Sequence, residues 1–393
     1  MKYFISIFSI IALITYSTTL VKAEEKDSNN IMLTSEAAVL MDAETGSILF
    51  EKNSDAKMYP ASLTKIATAI YAIEKGKLDE NVVISEKAVN TEGTSVYLEP
   101  GELVPLKKLV QGMLINSGND AAVAIAEYLN GNVEDFSFSL NEYLKNEIGV
   151  ENTHFTNPNG LFGENHYTTA KDMAIITKYA LQNETFREIF GTKELVWDGQ
   201  SWDTTLVTHH RLLKGEVPFK QRITGGKTGF IDESKQTLAT TAENDEINLV
   251  AIVLKADTKR KIYKDTVKLL EYGFAHFKSG VIKDNTIYKK NGIPYQVLGD
   301  QQITEELNGK TSKTVTADGE LQLTTNAGKV LQTLKLKVIK PPKPAEVEGE
   351  YQQAKILADH SINNITAFMG YLFMCLAFLF VIKKIRLRMT KTR

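Results

Sequence analysis

The sequence has almost no cysteine, and its histidines form no recognisable metal-binding motif. Cys375 is the only cysteine among the 393 residues, so an intramolecular disulfide is excluded. Its position inside an apolar run is typical of a small apolar residue, and acylation is the alternative. The six histidines include no H-E-x-x-H pattern, and only His209 and His210 stand close together. We therefore expect neither a metal ion nor another cofactor.

A basic surface for nucleic acid is also missing. The formal net charge of the whole chain is −2 at pH 7. Because many basic residues are gathered at the C-terminus, the rest of the chain is more acidic than this value, and nucleic acid is not an expected partner. The composition, with 43% hydrophobic and 24% charged residues, is that of a globular protein with room for a large core and a second domain.

An uncharged run near the N-terminus predicts export. Lys2 is followed by a run without charge from Tyr3 to Val21. Lys22 and Ala23 come directly after this run. This pattern predicts a secretory signal peptide over residues 1–23, with cleavage after Ala23. The mature protein is therefore expected outside the cytoplasm.

A second uncharged run extends from Ile365 to Ile382, and its 18 residues would span roughly 27 Å as a helix, about the thickness of a bilayer core. Six basic residues follow this run: Lys383, Lys384, Arg386, Arg388, Lys391 and Arg393. A basic flank of this density stays on the cytoplasmic side. We predict a transmembrane anchor at 365–382, a cytoplasmic tail at 383–393 and a single-pass cell-membrane protein with an extracytoplasmic body. A buried core helix is the alternative, which the lack of a polar face disfavours.

Between the two ends, apolar periodicity predicts one mixed domain over residues 35–279. Two short apolar runs, 37–42 and 47–51, flank a turn that contains Gly46, and they predict a β-hairpin. The patterns that follow are helical at 62–73 and through most of 103–182, strand-like at 222–230, 236–241 and 247–254, and helical again at 258–277. This order predicts a mixed α/β fold of the α+β type, in which an antiparallel sheet carries helices on both faces.

The pattern changes after Gly280. Short Val, Ile and Leu runs then alternate with turn glycines, which predicts a small all-β domain at 280–340. The segment Lys340-Pro341-Pro342-Lys343-Pro344 predicts a semi-rigid linker, placed at 341–360, between this domain and the membrane helix.

Ser62 and Lys65 stand at the start of a helix that is apolar on nearly every side. A serine hydroxyl is a weak nucleophile at neutral pH and needs a base. Three residues apart, the two side chains share a helix face, and the positive end of the helix dipole favours both an alkoxide and an uncharged lysine. The spacing alone is weak evidence, because Ser54-Asp55-Ala56-Lys57 repeats it in a polar turn. A capping serine beside a solvated lysine is the structural alternative.

Two further motifs make the pair more specific. Ser117-Gly118-Asn119 lies in a predicted turn between helices, where helix capping is the alternative role, and Lys227-Thr228-Gly229 lies on a predicted strand. K-T-G occurs once in the chain, whereas S-x-N occurs elsewhere as well. The ordered set S-x-x-K, S-x-N and K-T-G is characteristic of class A β-lactamases and penicillin-binding proteins.

The chain resembles the low-molecular-mass penicillin-binding proteins, which are serine-type D-alanyl-D-alanine carboxypeptidases of the peptidase S11 type, over most of residues 35–340. Beyond the three motifs, five segments look like signatures of that family: 42–46, 98–102, 117–122, 157–161 and 169–174. The resemblance implies a serine β-lactamase/DD-peptidase-like fold, followed by a small all-β domain and a C-terminal transmembrane helix.

The resemblance also implies the reaction. Ser62 would be the acylated nucleophile, Lys65 the base that takes its proton, and Ser117 the relay of a proton to the leaving amine. The substrate would be a peptidoglycan stem peptide ending in D-Ala-D-Ala, which loses its last D-alanine before water releases the acyl-enzyme. β-Lactam antibiotics would be covalent inhibitors held as long-lived adducts.

The remaining motif residues are implied to bind substrate. Asn119 would hold the peptide amide, Lys227 would supply positive potential, and Thr228 would bind the terminal carboxylate. Gly229 completes this strand motif, and the backbone N–H of Phe230 would form the oxyanion hole together with that of Ser62, a device in which one donor is typically worth about 3–4 kcal/mol.

Two segments depart from the family pattern. Phe230-Ile231 follows K-T-G, and the family often carries a threonine or serine two positions after this motif, where Ile231 lacks a hydroxyl for the substrate carboxylate. His209-His210-Arg211-Leu212-Leu213 stands where the family tends to have asparagines before a Leu-Leu pair, which alters a wall of the cleft. The uncharged C-terminal run also differs from the amphipathic membrane helix of many relatives.

Two other functions are compatible with the fold. One is a β-lactamase or an esterase; class A β-lactamases use an additional glutamate for deacylation, and no Glu-x-Glu-Leu-Asn-like segment lies between Asn119 and Lys227. A non-catalytic wall-binding protein would not need an intact Ser62 and Lys65. We therefore predict a serine D-alanyl-D-alanine carboxypeptidase.

Overall fold

The structure is a computed structural model that describes residues 31–200, 203–339 and 348–389. The predicted signal peptide, residue 340 at the end of the predicted all-β domain, residues 341–347 of the predicted linker and the last four residues of the predicted tail lie outside the described residues. The chain forms two compact units. Among the described residues, one unit contains those from 31 to 286 together with 297–336, and the other contains 287–296 together with 337–339 and 348–389.

The first part of the chain contains nine strands and nine α-helices among its described residues. The strands are β1 (Ala37–Asp42), β2 (Ile48–Lys52), β3 (Asn81–Val83), β4 (Leu103–Pro105), β5 (Glu194–Asp198), β6 (Asp203–Val207), β7 (Arg222–Ile231), β8 (Lys235–Glu243) and β9 (Asn248–Ala256). The helices are α1 (Thr64–Lys75), α2 (Glu86–Val89), α3 (Leu106–Ile115), α4 (Asn119–Asn130), α5 (Val133–Tyr143), α6 (Ala170–Ala180), α7 (Glu184–Phe190), α8 (Arg211–Lys214) and α9 (Lys259–His276), with a 3₁₀ turn at Ala61–Leu63 and a π-helical turn at Leu144–Ile148.

The central sheet of this unit has the strand order β2-β1-β9-β8-β7, and every neighbouring pair is antiparallel. α9 packs on one face, and α6 packs on the other, next to α1. Successive residues of β1 point to opposite faces, so Val39 packs in the core that contains α1 and Leu40 in the core that contains α9. The predicted antiparallel sheet with helices on both faces is confirmed. Because β7 is an edge strand, one of its sides is left for a cleft.

α1 begins two residues later than the sequence pattern predicts. Ser62 lies in the 3₁₀ turn, and α1 starts at Thr64. Ala61 has a φ of +49°, in the left-handed region, so a right-handed α-helix cannot extend back through this residue. α1 is buried from Thr64 to Ala72, as its apolar pattern predicts.

The segment 149–169 departs from the helical prediction for 103–182, because it contains no helix. Its turns are closed by side chains instead. The side-chain oxygen of Asn157 accepts a hydrogen bond from the Gly160 N–H at 2.7 Å, and an asparagine two residues later caps the next turn. Side-chain acceptors of this kind compete with helix formation, and apolar periodicity does not register them.

Residues 277–338 contain strands and no helix, as predicted for the all-β region. The strands are β10 (Phe277–Ile282), β11 (Ile287–Lys290), β12 (Ile293–Gln296), β13 (Gln301–Glu306), β14 (Ser312–Val315), β15 (Glu320–Thr324), β16 (Val330–Lys335) and β17 (Lys337–Val338). β13 is tied to the central sheet, because Thr304 donates a hydrogen bond to the buried carboxylate of Asp42 at 2.7 Å. β10 extends across residue 279, the predicted boundary between the mixed domain and the all-β domain. The limits of these two domains therefore remain a proposal.

The second unit contains the three-stranded sheet β11-β12-β17 and the helix α10 (Glu348–Met389). α10 is long and apolar enough to cross a membrane, and it includes the whole predicted anchor at 365–382. Residues 348–360 of the predicted linker form the first turns of α10. They follow the proline cluster, and apart from Gly349 they are mostly good helix formers.

Candidate active site

Ser62 and Lys65, which the sequence places three residues apart, contact each other in the structure. The side-chain nitrogen Nζ of Lys65 lies 3.1 Å from the hydroxyl oxygen Oγ of Ser62. Lys65 is fully buried, and Nζ also donates to the side-chain oxygen of Asn119 and to the backbone carbonyl of Asn159, both at 2.7 Å. A nitrogen base within hydrogen-bond distance of a serine hydroxyl is the geometry that nucleophilic catalysis requires.

The surroundings of Lys65 favour its uncharged form. Burial lowers the pKa of Lys65 well below its usual value, because the charged form loses its hydration. The nearby charge of Lys227 lowers this pKa further, whereas the carboxylate of Asp120 opposes the shift. Lys65 can therefore release its proton more readily than a solvated lysine and take one from Ser62.

The S-x-N and K-T-G motifs meet through a second buried lysine. Lys227 Nζ donates to Ser117 Oγ at 2.9 Å and to the carbonyl oxygen of Thr228 at 2.8 Å. Burial lowers the pKa of Lys227 to about 7. Ser117 itself has a φ of +66°, a strained conformation for a residue with a side chain, and such strain is concentrated at functional sites.

Asn119 is the first residue of α4, and both ends of its side-chain amide are held. The oxygen accepts from Lys65, and the nitrogen donates to the carbonyl oxygen of Glu92 at 2.6 Å. The next residue, Asp120, is buried and accepts hydrogen bonds from the side chain and backbone of the 95–98 loop. This network fixes the wall of the site that carries the S-x-N motif.

Gly229 lets the K-T-G strand approach the serine turn closely. A Cβ atom at this position would lie 2.9 Å from the backbone nitrogen of Ser62 and 2.3 Å from Thr237 Oγ1. Thr237 in turn donates to the carbonyl oxygen of Pro60 at 2.9 Å. Only glycine leaves space here, so the K-T-G strand can pack directly against the backbone of Ser62.

A cleft of about 540 Å³ opens in front of these groups, and Ser62, Ser117 and Thr228 line one part of it. Four cationic or titratable side chains line another part: His209, Arg211, Lys214 and Lys259. Glu216 is the only carboxylate among the described lining residues, and it pairs with Arg211 at 3.1 Å and with Lys214 at 2.5 Å. The cleft therefore has an excess of positive charge, which suits an anionic group on a ligand.

The two segments that depart from the family pattern both reach this cleft. Phe230 lines it and is 53% exposed, and Ile231, the second residue after K-T-G, has no hydroxyl to offer. His209 also lines the cleft. Burial is the main cause that lowers the pKa of His209, and the nearby charges of Lys227, Lys214 and Lys259 lower it further.

His210 has a different place from its neighbour. It is buried, and it accepts a hydrogen bond from the Leu213 N–H at 3.1 Å, which caps α8. Burial lowers its pKa to about 3. His210 therefore supports the wall of the cleft from behind.

The repeated spacing at Ser54 and Lys57 produces no pair. Ser54 Oγ donates to the carboxylate of Glu51 at 2.7 Å, and Lys57 lies over the ring of Tyr167, 4.1 Å from its centre. The structure thus brings Ser62, but not Ser54, to a lysine.

Sequence reasoning missed four residues that hold the site together: Thr64, Asn159, His166 and Thr237. Asn159 acts through its backbone carbonyl, which leaves no mark on side-chain chemistry. The 157–161 segment was nevertheless a family signature, and this was the only available signal for it. His166 was visible only as one of six histidines.

Comparisons with known proteins agree with the geometry of the site. A family model described as D-alanyl-D-alanine carboxypeptidase, peptidase S11, matches residues 22–258. D-alanyl-D-alanine carboxypeptidase DacF of Bacillus subtilis is 34% identical over 323 residues, which cover 79% of this chain and 80% of the relative. DacA of Haemophilus influenzae is 32% identical over 304 residues, covering 69% and 72%.

A solved structure shares the fold over most of the chain. Penicillin-binding protein 5 from Haemophilus influenzae superposes with a TM-score of 0.69 and 26% identity, covering 79% of this chain and 98% of that one. Both the sequence and the structural matches extend beyond the part that carries the three motifs. The chain therefore belongs to the peptidase S11 family of D-alanyl-D-alanine carboxypeptidases.

Proposed function

We propose that this chain, a serine D-alanyl-D-alanine carboxypeptidase, removes the terminal D-alanine of peptidoglycan stem peptides in the cleft at Ser62. The observation that carries the site assignment is the 3.1 Å contact between Ser62 Oγ and the buried Lys65 Nζ. A nucleophile and a base of lowered pKa, held in contact inside a cleft, are the parts that acyl transfer requires.

Acylation starts with Lys65 in its neutral form. Lys65 takes the hydroxyl proton of Ser62 while Ser62 Oγ attacks the carbonyl carbon between the two D-alanines. The backbone N–H groups of Ser62 and Phe230 then stabilise the negative oxygen of the tetrahedral intermediate. Collapse of this intermediate breaks the C–N bond, and Ser117 relays the proton held by Lys65 to the leaving amine. Water then hydrolyses the ester on Ser62, which releases the shortened peptide and restores the serine hydroxyl.

Lys227 supports this proton transfer, because it donates to Ser117 Oγ at 2.9 Å. In its charged form it stabilises negative charge on or near that oxygen. Asn119, whose amide is held at both ends, is placed to bind the peptide amide of the substrate.

The terminal carboxylate of the substrate is the anion that the cleft accommodates. Thr228 offers a hydroxyl, and Arg211 and His209 line the same cavity. A carboxylate there would gain charge-assisted hydrogen bonds. This recognition requires a free C-terminus, which is the property of a carboxypeptidase substrate.

The lining of the cleft favours a carboxypeptidase over a β-lactamase. Glu216 is the one carboxylate in the described lining, and it is paired with Arg211 and Lys214. The 156–166 loop presents a backbone carbonyl, that of Asn159, to Lys65 and not a glutamate. β-Lactams are therefore expected to form long-lived adducts on Ser62.

α10 is long and apolar enough to be a membrane anchor. We propose that it holds the protein in the cell membrane as a single span. The catalytic cleft then lies on the extracytoplasmic side, where stem peptides are found, and the basic residues after 382 remain in the cytoplasm.

Mass spectrometry of the full-length protein in detergent tests the site. After brief exposure to penicillin, we expect one covalent adduct on the peptide that contains Ser62, and D-alanine release from a pentapeptide by the untreated protein. Ser62→Ala should show neither. An adduct on another residue would overturn the assignment of Ser62, and rapid turnover of penicillin would favour a β-lactamase. An adduct without D-alanine release would favour a wall-binding protein.

A further inference from the structure

The peptide bond between Ala61 and Ser62 carries the backbone N–H on which the proposed oxyanion hole depends. In a trans peptide, the carbonyl oxygen and the following N–H point in opposite directions. The described residues contain no cis peptide bond. Whatever holds the Ala61 carbonyl therefore also sets the direction of the Ser62 N–H.

The Ala61 carbonyl accepts hydrogen bonds from both the backbone N–H and the hydroxyl of Thr64, and it is enclosed by a glycine. Thr64 Oγ1 donates to Ala61 O at 2.9 Å. At Gly160, an added Cβ would lie 1.9 Å from the same oxygen. The oxygen has little room to turn towards the cleft or away from the threonine.

His166 fixes the direction of the Thr64 hydroxyl. The Thr156 N–H donates to His166 Nδ1 at 3.1 Å, so Nδ1 is an acceptor and the ring proton is on Nε2. Nε2 lies 2.8 Å from Thr64 Oγ1 and donates to it. The threonine hydroxyl accepts from His166 and donates to Ala61 O, which makes a directed chain of two hydrogen bonds.

This chain is sealed from solvent. His166 is only 1% exposed, Thr64 is fully buried, and the imidazole stacks on Phe155 with 5.0 Å between ring centres. Burial lowers the pKa of His166 to about 3, with smaller contributions from His154 and Lys65. The ring is therefore neutral at physiological pH and keeps the same tautomer.

The other end of the peptide unit faces the K-T-G strand. A Cβ added to Gly229 would lie 2.9 Å from the Ser62 nitrogen, so this nitrogen lies directly against the K-T-G strand. We propose that His166 is a positioning residue: acting through Thr64, it fixes the Ala61 carbonyl and thereby aims the Ser62 N–H at the oxyanion. The inference rests on the proposed acyl-transfer function of Ser62.

Holding the 156–166 loop in place is the simpler role for His166, and the structure offers a way to separate the two roles. Thr68 stands one turn after Thr64 on α1, is equally buried, and donates to Pro158 O at 2.7 Å. Thr68 therefore ties the same loop to the same helix without touching the Ala61 carbonyl. Thr68→Val is the matched control for Thr64→Val.

The experiment measures the acyl-enzyme that the full-length protein forms with a penicillin carrying ¹³C at its β-lactam carbonyl. Hydrogen bonds from an oxyanion hole lower the infrared stretching frequency of the ester carbonyl. We expect Thr64→Val to raise this frequency and to slow acylation by roughly ten- to a hundredfold, less than the loss of a whole donor. Thr64→Ser should restore both, and Thr68→Val should change neither even where it lowers the melting temperature.

His166 is tested with the same measurement. His166→Gln keeps an N–H near the position of Nε2 and should retain most of the acylation rate, whereas His166→Leu should resemble Thr64→Val. The proposal is overturned if Thr64→Val leaves the carbonyl frequency unchanged, or if Thr68→Val shifts it equally. A wild-type protein that forms no adduct would overturn the acyl-transfer function as well, and this outcome is distinct from a loss confined to the variants.

Discussion

Lys227 and Ser117, 110 positions apart in the sequence, are joined by a 2.9 Å hydrogen bond between Nζ and Oγ. The lysine is almost fully buried, and its pKa of about 7 means that it changes charge close to neutral pH. Its charge also lowers the pKa of Lys65. The two buried lysines therefore have to be in opposite charge states for the proposed reaction, with Lys65 neutral and Lys227 positive.

This requirement predicts a bell-shaped dependence of kcat/KM on pH. On the acidic side, protonation of Lys65 removes the base for Ser62, so activity falls as pH decreases. On the basic side, Lys227 loses its charge above about pH 7, and the binding of the carboxylate substrate weakens. Lys227→Arg, which stays charged, should move the basic limb to higher pH. An unchanged basic limb in this variant would exclude Lys227 as its cause.

The lowered pKa of Lys227 also predicts how stability depends on pH. A lysine in the unfolded chain has its ordinary pKa of 10.5, whereas the pKa of Lys227 in the folded protein is about 7. Between these values the unfolded state binds more protons, so the free energy of unfolding rises with pH, at most by about 1.4 kcal/mol per pH unit for one group. Below about pH 7 both states are protonated, and this contribution to the slope disappears.

Lys227→Met removes this titration. Chemical denaturation between about pH 7 and pH 10 should give a smaller increase in unfolding free energy for the variant than for the wild type. Lys77→Met is the control, because Lys77 is exposed and lies outside the cleft. This variant should leave the dependence of the unfolding free energy on pH nearly unchanged. Equal slopes for the wild type and Lys227→Met would contradict the lowered pKa.

The fold could be predicted from sequence wherever apolar residues repeat with a clear period. The strand β9 and the helix α9 were predicted with approximately correct ends because each buries a clear apolar pattern. The loop 149–169 could not, because asparagine side chains determine its turns and polar contacts have no period.

The site could be predicted as a set of motifs, but the contacts between them could not. The sequence indicated Ser62 and Lys65 as a pair because they are neighbours on one turn. It gave no sign that the carbonyl of Asn159 and the ring of His166 reach the same turn. Backbone groups and buried hydrogen-bond chains act through position, and position is a property of the folded chain.

Gly160 is expected to be irreplaceable for steric reasons. Its φ is +84°, and a Cβ would lie 1.9 Å from Ala61 O. We expect Gly160→Ala to lower the free energy of unfolding by about 3–5 kcal/mol, since overpacking is added to the left-handed conformation, and to slow acylation of Ser62.

Gly131 provides the matched control for this glycine. Its φ is +82°, but an added Cβ would meet nothing within 4 Å. Gly131→Ala should therefore cost only about 1–2 kcal/mol, the penalty of the left-handed conformation alone, and should leave acylation unchanged. Equal losses in the two variants, measured by denaturant titration, would show that the close contact with Ala61 has no energetic effect.

Arg211 is expected to select substrates with a free carboxylate. It lines the cleft together with Thr228, and its pairing with Glu216 through Nε leaves other guanidinium N–H groups for a ligand. Arg211→Gln should raise KM for a pentapeptide ending in D-Ala-D-Ala by about tenfold, the loss of one charge-assisted hydrogen bond. The rate of acylation by a peptide whose last residue is a D-alanine amide should change little.

The exposed Arg222 is the control for this charge change, because it pairs with Glu243 at the start of β7 and does not line the cleft. Arg222→Gln should leave KM for both peptides unchanged. If Arg211→Gln weakens the binding of the acid peptide and of the amide peptide equally, Arg211 acts on the shape of the cleft and not on the carboxylate. A loss of affinity for the acid peptide alone would instead mean that the excess positive charge of the cleft supplies the specificity for a C-terminal residue. This charge would then take the place of the hydroxyl that Phe230-Ile231 lacks.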